Sequence, residues 1–310
     1  MSDATGERQV ERHSLGWIGL GQMGSPMAER LLLQDDVELH VHDVSAEAAR
    51  SFADRGATAH ATPCAVADAA EIVFACLPSR EVSRAVASGP KGVVEGGKVR
   101  LYVETSTIGR TCIQEIARDL AKRRIDTVDG PISGGPPGAR EGRLHMMVSG
   151  PQGAVAEVTP WLARIGKSVT CLGDTAGQAQ IMKLVNNLVM AGNMVVASEG
   201  LCMGAKAGLD LERMFEVLAG STGDSRVLTE TLRTHVPSGS YDYGARLSIV
   251  EKDVTLGAAE AAELEVRTPI LDAVTEIWRE ASAEGFSARD FTMIARFVER
   301  RSGASLRRKG

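Results

Sequence analysis

The sequence predicts an α/β protein in which a Rossmann-type, doubly wound and mostly parallel sheet domain is followed by an all-helical domain. Strand-like apolar runs alternate with helical patterns through the first half of the chain, as expected of a parallel sheet. After Gly177 only helical patterns follow. The length of 310 residues exceeds one small core and suits two domains.

The predicted organisation has four segments. Residues 1–14 are polar and charged, and we expect them to form a disordered N-terminal tail. A sheet domain over residues 15–173 precedes an all-helical domain over residues 174–300. Residues 301–310 form a basic C-terminal tail that we expect to be solvated.

Composition excludes several classes of function. The net charge of -5, with both signs mixed along the chain, predicts no nucleic-acid partner. The uncharged run 184–198 is shorter than the ~20 residues of a membrane helix, so no membrane partner is expected. The first residues lack the apolar segment of a secretory signal, which predicts a cytoplasmic protein. Five scattered cysteines without a Cys-x-x-Cys pair indicate neither disulfides nor a metal site.

The first strand-like run passes directly into a glycine-rich turn and then a helical pattern. Its glycines have the Gly-x-Gly-x-x-Gly spacing of a dinucleotide-binding turn, in which the helix N-terminus faces a pyrophosphate. The motif alone is a weak signal, because glycine-rich turns are common. We expect the whole turn to contact the cofactor: Gly19, Leu20, Gly21, Gln22, Met23 and Gly24.

Asp43 supports the same interpretation. It ends the second strand pattern, Val37–His42, about 20 residues after Gly24, where a dinucleotide fold places the carboxylate that binds the adenosine ribose. A carboxylate there would repel a 2′-phosphate, so the predicted cofactor is NAD, with NADP less favoured. Arg50 is the first candidate partner for a phosphate if that prediction fails. Alternatively, Asp43 only helps Ser45 to begin the next helix.

Five more strand-like runs follow: 57–61, 72–76, 99–104, 125–129 and 144–149. Ligands of parallel sheets bind at the carboxyl ends of the strands, so the loops after two of these runs should line the cofactor crevice. These loops carry Leu77-Pro78-Ser79 and Thr105-Ser106-Thr107. Ser79 and Thr107 are equally compatible with simple helix N-caps.

The segment 129–144 is rich in glycine and proline and lies between two strand patterns. Gly134 and Gly135 let backbone N–H groups approach a ligand, and Ser133 adds a hydroxyl, so the segment could form a nest for an anion. An ordinary rigid turn is the alternative.

Lys183 is the candidate catalytic residue. It lies near the start of a long apolar helical pattern, 175–207, and Asn187 follows four residues later on the same helix face. Burial among apolar neighbours would lower the lysine pKa toward neutrality. Alternatively, the lysine side chain extends to solvent at the helix start. Five shorter helical patterns follow: 210–219, 225–234, 247–264, 268–284 and 290–300.

These motifs, with Lys252-Asp253, occur in the order seen in the β-hydroxyacid dehydrogenase family, which the chain resembles over nearly its whole length. The resemblance implies an NAD(P)-dependent oxidoreductase that acts on a small 3-hydroxy acid, with its ligand site in a cleft between the domains. It makes Lys183 the catalytic lysine and assigns substrate binding to Ser133, Gly134, Gly135 and Asn187. Cofactor contacts would come from Leu77, Pro78, Thr107 and Lys252.

The sequence departs from the family pattern at Arg226 and at Tyr243-Gly244, which makes the substrate pocket hard to predict. An imine or ketimine reductase is one alternative function, although such relatives commonly lack the lysine. A nucleotide-binding protein without catalysis is the other. The apolar helix faces and the resemblance together predict a homodimer or homotetramer.

Overall fold

The structure, a computed structural model, describes residues 12–307 of the chain. Residues 1–11 of the predicted N-terminal tail and 308–310 of the C-terminal tail lie outside the described residues. The first strand begins at His13, inside the segment predicted as a tail, and the last helix extends to Ser302. The chain divides into two compact units between Gln180 and Ile181.

The first unit contains a six-stranded sheet in which every pairing is parallel. The strands lie in the order β3-β2-β1-β4-β5-β6, so the chain starts in the middle, builds one half and then crosses to the other. This is the doubly wound arrangement that the alternating pattern predicts. The strands are β1 (His13–Ile18), β2 (Val37–His42), β3 (Thr58–Ala59), β4 (Ile72–Ala75), β5 (Leu101–Glu104) and β6 (Asp126–Asp129).

Helices cover both faces of this sheet. The sheet face that carries Trp17 and Phe74 packs on the first and seventh helices of the chain. The opposite face, which carries Ile18 and Tyr102, packs on the third and fifth helices. All four named side chains are at most 1% exposed, which explains why these strands are apolar runs without alternation. The helices are α1 (Gly24–Leu32), α2 (Ala46–Ala53), α3 (Pro63–Ala69), α4 (Arg80–Ser88), α5 (Arg110–Ala121), α6 (Gly135–Glu141) and α7 (Gln152–Ile165).

A second, three-stranded sheet lies in the same unit and was not predicted as such. Its strands are β7 (Ile132–Ser133), β8 (Leu144–Val148) and β9 (Gly166–Cys171), with β7 antiparallel and β9 parallel to β8. The glycine- and proline-rich segment predicted as a loop therefore contains β7 and α6. Proline is well tolerated in the first turn of a helix, which lets Pro136 and Pro137 begin α6.

Every regular secondary-structure element in the described part of the second unit is a helix, as predicted. Its longest helix, α8 (Gln178–Lys206), begins in the last residues of the first unit. A π-helical turn, Val227–Leu232, continues directly into α10, and a second, Ser282–Phe286, follows α12. The remaining helices are α9 (Leu211–Ala219), α10 (Arg233–His235), α11 (Leu247–Glu263), α12 (Pro269–Ala281) and α13 (Met293–Ser302).

Helix α8 is apolar on its buried and its exposed faces alike. Leu188, Ala191 and Met194 are buried in the core of the second unit, whereas Val189 and Val196 are 55% and 61% exposed. By length and composition alone α8 could cross a membrane, and 44% of its most apolar window is buried. Core helices of soluble proteins share this length and composition. The predicted homodimer or homotetramer stays a prediction.

Candidate active site

The glycine turn after β1 has the geometry that close approach of a ligand requires. Gly19 has a φ of +93°, and a Cβ there would lie 2.2 Å from the Cys76 carbonyl oxygen. A Cβ on Gly24 would lie 1.9 Å from the Gly19 carbonyl oxygen. A Cβ on Gly21, in contrast, would meet nothing within 4 Å, which leaves room for a bound group above the turn. Within the described residues, no side chain caps the N-terminus of α1.

Asp43 connects the ends of the first two strands. Its carboxylate accepts hydrogen bonds from the backbone N–H groups of Leu20 (2.6 Å) and Ser45 (2.7 Å), one at each oxygen. Ser45 caps α2 with its own hydroxyl. Asp43 therefore does help to position Ser45 at the start of α2, as the alternative interpretation of the sequence predicts. A carboxylate has about four acceptor positions, so a ribose diol can still be bound beside the two N–H groups.

A chain of hydrogen bonds joins the loops after β4 and β5. The Leu77 N–H donates to Ser106 Oγ at 2.6 Å, and the Thr105 hydroxyl donates to the Ala75 carbonyl at 2.7 Å. Ser79 acts as the N-cap of α4. Thr107 is the one partly exposed residue of the segment 105–109. Leu77, Pro78 and Thr107 are thus at the carboxyl edge of the sheet, on the half opposite Asp43.

Glu104 lies beneath these loops and was not singled out from the sequence. Its side chain is fully buried, accepts a hydrogen bond from the Tyr102 hydroxyl (2.8 Å) and another from the Ser106 N–H (3.0 Å). Burial raises the pKa of Glu104, although the hydrogen bonds oppose the shift. A carboxylate as the last residue of an apolar strand is the signal that sequence reading could have used.

Asp129, at the end of β6, fixes the start of α8. One oxygen accepts hydrogen bonds from the Ser149 hydroxyl (2.5 Å) and the Gly177 N–H (2.9 Å), and the other from the Gln180 N–H (2.9 Å). A helix begins with unpaired N–H groups and a partial positive charge, and both favour an anionic cap. Asp129 is fully buried, and burial raises its pKa.

Ser133, Gly134 and Gly135 form the end of β7 and the start of α6. Both glycines have positive φ values, +132° and +62°, a conformation that other residues adopt at a cost. Gly134 is exposed, and Ser133 and Gly135 are partly exposed. The segment thus has the small side chains and accessible backbone of the predicted anion nest.

In the second unit, Lys183 belongs to a polar cluster on α8 and α11. Asn187 donates a hydrogen bond to Asp253 Oδ2 at 2.6 Å and accepts one from Asn186 at 2.9 Å. Lys252 Nζ lies 3.1 Å from Asp253 Oδ1. Asn187 and Asp253 are 6% and 4% exposed. An amide has two N–H groups and two lone pairs, so Asn187 retains one of each for a ligand.

The pKa of Lys183 is lowered to about 8, the direction that the sequence predicts. Desolvation is the largest cause; the charge of Asp253 opposes it, and that of Lys252 adds to it. Although the residue as a whole is partly exposed, its ammonium end is deep enough for this shift. Lys183 can therefore exchange a proton near neutral pH. Asp253 was noticed only as part of a motif, and its contact with Asn187 assigns it a positioning role.

Two family models together match most of the chain. Residues 14–173 match the NAD-binding domain of 6-phosphogluconate dehydrogenase, and residues 177–298 match the NAD-binding domain of NADP-dependent 3-hydroxyisobutyrate dehydrogenase. The 2-(hydroxymethyl)glutarate dehydrogenase of Eubacterium barkeri is 32% identical, covering 94% of this chain and 97% of the relative. The 2-hydroxy-3-oxopropionate reductase of Escherichia coli is 30% identical, covering 92% and 97%.

Solved structures share the fold. The 3-hydroxyisobutyrate dehydrogenase of Mycobacterium tuberculosis superimposes with a TM-score of 0.84 at 24% identity, covering 93% of this chain and 99% of that one. An imine reductase variant from Myxococcus stipitatus gives a TM-score of 0.63 at 20% identity, covering 93% and 99%. The similarity to imine reductases is thus one of fold, whereas the two relatives named above are hydroxy-acid enzymes by name.

Proposed function

The chain belongs to the β-hydroxyacid dehydrogenase family of NAD(P)-dependent oxidoreductases, and we propose that it oxidises the hydroxymethyl group of a small 3-hydroxy acid with NAD. The observation that carries the proposal is the cluster around Lys183, in which a lysine with a pKa of about 8 lies on the same helix face as Asn187. A proton acceptor with a pKa near the working pH is what alcohol oxidation requires.

The names of the relatives support this substrate class. Each names an acid whose alcohol or carbonyl oxygen is on the third carbon, counted from a carboxyl group. A substrate of this kind presents a carboxylate to be held and a hydroxyl to be deprotonated. Within the first unit, the Ser133 hydroxyl and the backbone of Gly134 and Gly135 are groups that suit a carboxylate. Within the second unit, the amide of Asn187 is a group that suits a hydroxyl.

The residues of this chain provide the proton chemistry. In oxidation, the neutral Lys183 Nζ accepts the hydroxyl proton of the substrate while the carbon gives up a hydride and becomes a carbonyl. NAD supplies the hydride acceptor when bound. In the reverse direction the protonated lysine returns the proton to the carbonyl oxygen. Asp253 keeps Asn187 oriented and favours the charged form of Lys183.

The preference for NAD rests on Asp43. Its carboxylate is held by two N–H groups at the end of β2 and would repel a 2′-phosphate. Val44, the next residue, is 97% exposed, which offers an apolar surface for an adenine ring. Arg50 is exposed on α2 and remains the candidate phosphate partner.

The test is a panel of initial rates with NAD and NADP. The substrates are 3-hydroxypropionate, 3-hydroxyisobutyrate, 2-(hydroxymethyl)glutarate and glycerate, with lactate as a 2-hydroxy-acid control. We expect turnover of at least one 3-hydroxy acid, none of lactate, and a higher kcat/KM with NAD. Asp43→Asn should reduce the ratio of NAD to NADP efficiency about tenfold, since a charged hydrogen-bond acceptor contributes roughly 1.5–3 kcal/mol.

Two results would reject the proposal. If the protein reduces a cyclic imine with NADPH and leaves every hydroxy acid unchanged, it is an imine reductase. If it binds NADH tightly but shows turnover with neither class, it is a nucleotide-binding protein. Equal efficiency with both cofactors, unchanged in Asp43→Asn, would reject the role of Asp43 alone.

A further inference from the structure

Gln180 is a fully buried polar residue whose side chain is bound entirely to one loop. Its Oε1 accepts hydrogen bonds from the N–H groups of Ile108 (2.9 Å) and Gly109 (3.1 Å), and its Nε2 donates to the Ser106 carbonyl (2.9 Å). A glutamine side chain loses considerable conformational entropy when it is held in one conformation, and here three hydrogen bonds offset that loss.

These three bonds lie on both sides of Thr107. The same loop is held from the opposite direction, because Thr105 bonds to the Ala75 carbonyl and Ser106 Oγ accepts the Leu77 N–H. Thr107 is the one partly exposed residue of the segment 105–109. Gln180 therefore determines the backbone geometry with which Thr107 is presented at the carboxyl edge of the sheet.

The position of this loop identifies the part of the cofactor that it serves. In a doubly wound sheet of this strand order, the first half binds one mononucleotide and the second half the other. Asp43 and the glycine turn belong to the half that binds the adenosine, so the loop after β5 belongs to the nicotinamide half. Gln180 is itself fixed by the bond from its N–H to Asp129, and Lys183 follows one turn later on α8.

We propose that Gln180 is a positioning residue for hydride transfer, which joins the Thr107 loop of the nicotinamide half to the first turn of the helix that carries Lys183. The inference rests on the proposed dehydrogenase function. It makes a specific claim, however: loss of the side chain weakens binding of the nicotinamide part of the cofactor and leaves the adenosine part unaffected.

The test compares binding of NADH with binding of ADP-ribose, which lacks the nicotinamide. Gln180→Met keeps the length of the side chain and removes all three hydrogen bonds. The control is Gln114→Met, which removes a hydrogen bond from another glutamine, on α5, to the Ala176 carbonyl, a bond that does not involve the Thr107 loop. We expect Gln180→Met to weaken NADH binding about tenfold and to change ADP-ribose binding less than twofold. Gln114→Met should change neither.

A second variant, Gln180→Glu, distinguishes a loss of the loop contacts from a general folding defect. Gln180→Glu keeps the acceptor for Ile108 and Gly109, and loses the donor to Ser106 unless the new carboxyl is protonated. Burial would raise the pKa of that carboxyl. NADH binding by Gln180→Glu should therefore improve several-fold, relative to wild type, as pH falls from 8 to 6. If Gln180→Glu weakens binding of NADH and of ADP-ribose equally at every pH, the proposal is contradicted.

The outcomes separate the two levels of inference. If wild type does not bind NADH, the proposed function fails and this inference falls with it. If wild type binds NADH but Gln180→Met binds it equally well, the positioning role alone is rejected. If Gln180→Met weakens NADH and ADP-ribose equally, the residue supports the unit as a whole and has no specific role at the nicotinamide half.

Discussion

The carboxyl networks at Glu104 and Asp129 in the first unit and the lysine cluster at Lys183 in the second treat buried charge in opposite ways. In the first, Glu104 and Asp129 are fully buried carboxyl groups, and each is surrounded by hydrogen bonds from hydroxyl and backbone N–H groups. In the second, Lys183 lies beside two charged residues, Asp253 and Lys252, and its pKa is lowered to about 8. One unit uses polar groups to fix loops, and the other holds a group that can change its charge near neutral pH.

The comparison shows why the same residue types serve different purposes. A buried carboxyl group with several directed partners is conformationally fixed, so Asp129 sets the start of a helix and Glu104 supports a loop. A lysine balanced by nearby charges of both signs has a protonation state that responds to small changes. Function should therefore be most sensitive to substitution in the second unit, and stability most sensitive in the first.

The largest effect is expected from Lys183→Ala. Removal of the general acid/base should lower kcat by about 10²–10⁴-fold, while the dissociation constant of NADH changes little. The wild-type kcat/KM for oxidation should rise with pH to a plateau with a midpoint near 8, because the neutral lysine is the base. For reduction the sign is reversed, and the rate should fall above that pH. Steady-state rates across pH 6–10 measure both.

The control for this prediction is Lys206→Ala, a lysine in the last turn of the same helix that donates to the Ser302 carbonyl. It should retain wild-type rates. A Lys183→Ala protein with more than a tenth of the wild-type kcat would show that another group handles the proton.

Much of the secondary structure could be predicted from the sequence, because apolar runs and motif spacing depend on residues that are close in the chain. Val37–His42 is the same strand in prediction and structure, and the helical pattern at 247–264 becomes α11, which ends one residue earlier. The strand β9 was missed because Gly166–Cys171 is half exposed and poor in apolar residues. The helix α6 was missed because its glycines and prolines resemble a turn.

The polar networks were harder to predict, since they join residues that are distant in sequence. Gln180 lies 51 residues from Asp129 and 74 from Ser106, and Asn187 lies 66 residues from Asp253. Periodicity carries no information about such partners. What the sequence does show is a charged residue at the end of an apolar run, as at Glu104 and Asp129, and such a residue has to find hydrogen bonds when buried.

An intermediate effect is expected from Asp253→Asn. The carboxylate of Asp253 raises the pKa of Lys183, so its replacement by a neutral amide should move the midpoint of the oxidation profile below 8. Asn187 would lose a charged hydrogen-bond partner, and a roughly tenfold decrease in the plateau kcat/KM should accompany the shift. The pH dependence of kcat/KM measures both quantities.

Asp272→Asn is the matched control, because this carboxylate is exposed in the first turn of α12 and accepts a hydrogen bond from Thr268. It should leave both the midpoint and the plateau unchanged. An upward shift of the midpoint in Asp253→Asn would mean that Asp253 does not stabilise the charged lysine.

The smallest effect is expected from Glu104→Gln, and it concerns stability. Burial raises the pKa of Glu104 in the folded protein, so between its ordinary pKa and the raised value the folded state binds more protons than the unfolded state. The wild-type free energy of unfolding therefore falls as pH rises through this interval, by at most about 1.4 kcal/mol per pH unit from this group. Glutamine has no proton to lose. Relative to wild type, Glu104→Gln should thus become more stable as pH rises from 4.

Urea unfolding at half-unit pH steps measures this difference, with Glu47→Gln, on the exposed first turn of α2, as a control that should stay nearly constant relative to wild type. The variant should also keep cofactor affinity within a few-fold, because a glutamine can still accept the Ser106 N–H bond that supports the loop. If the stability difference instead decreased with pH, Glu104 would be ionised in the folded protein. The contrast between a fixed network in the first unit and a titrating cluster in the second would then be wrong.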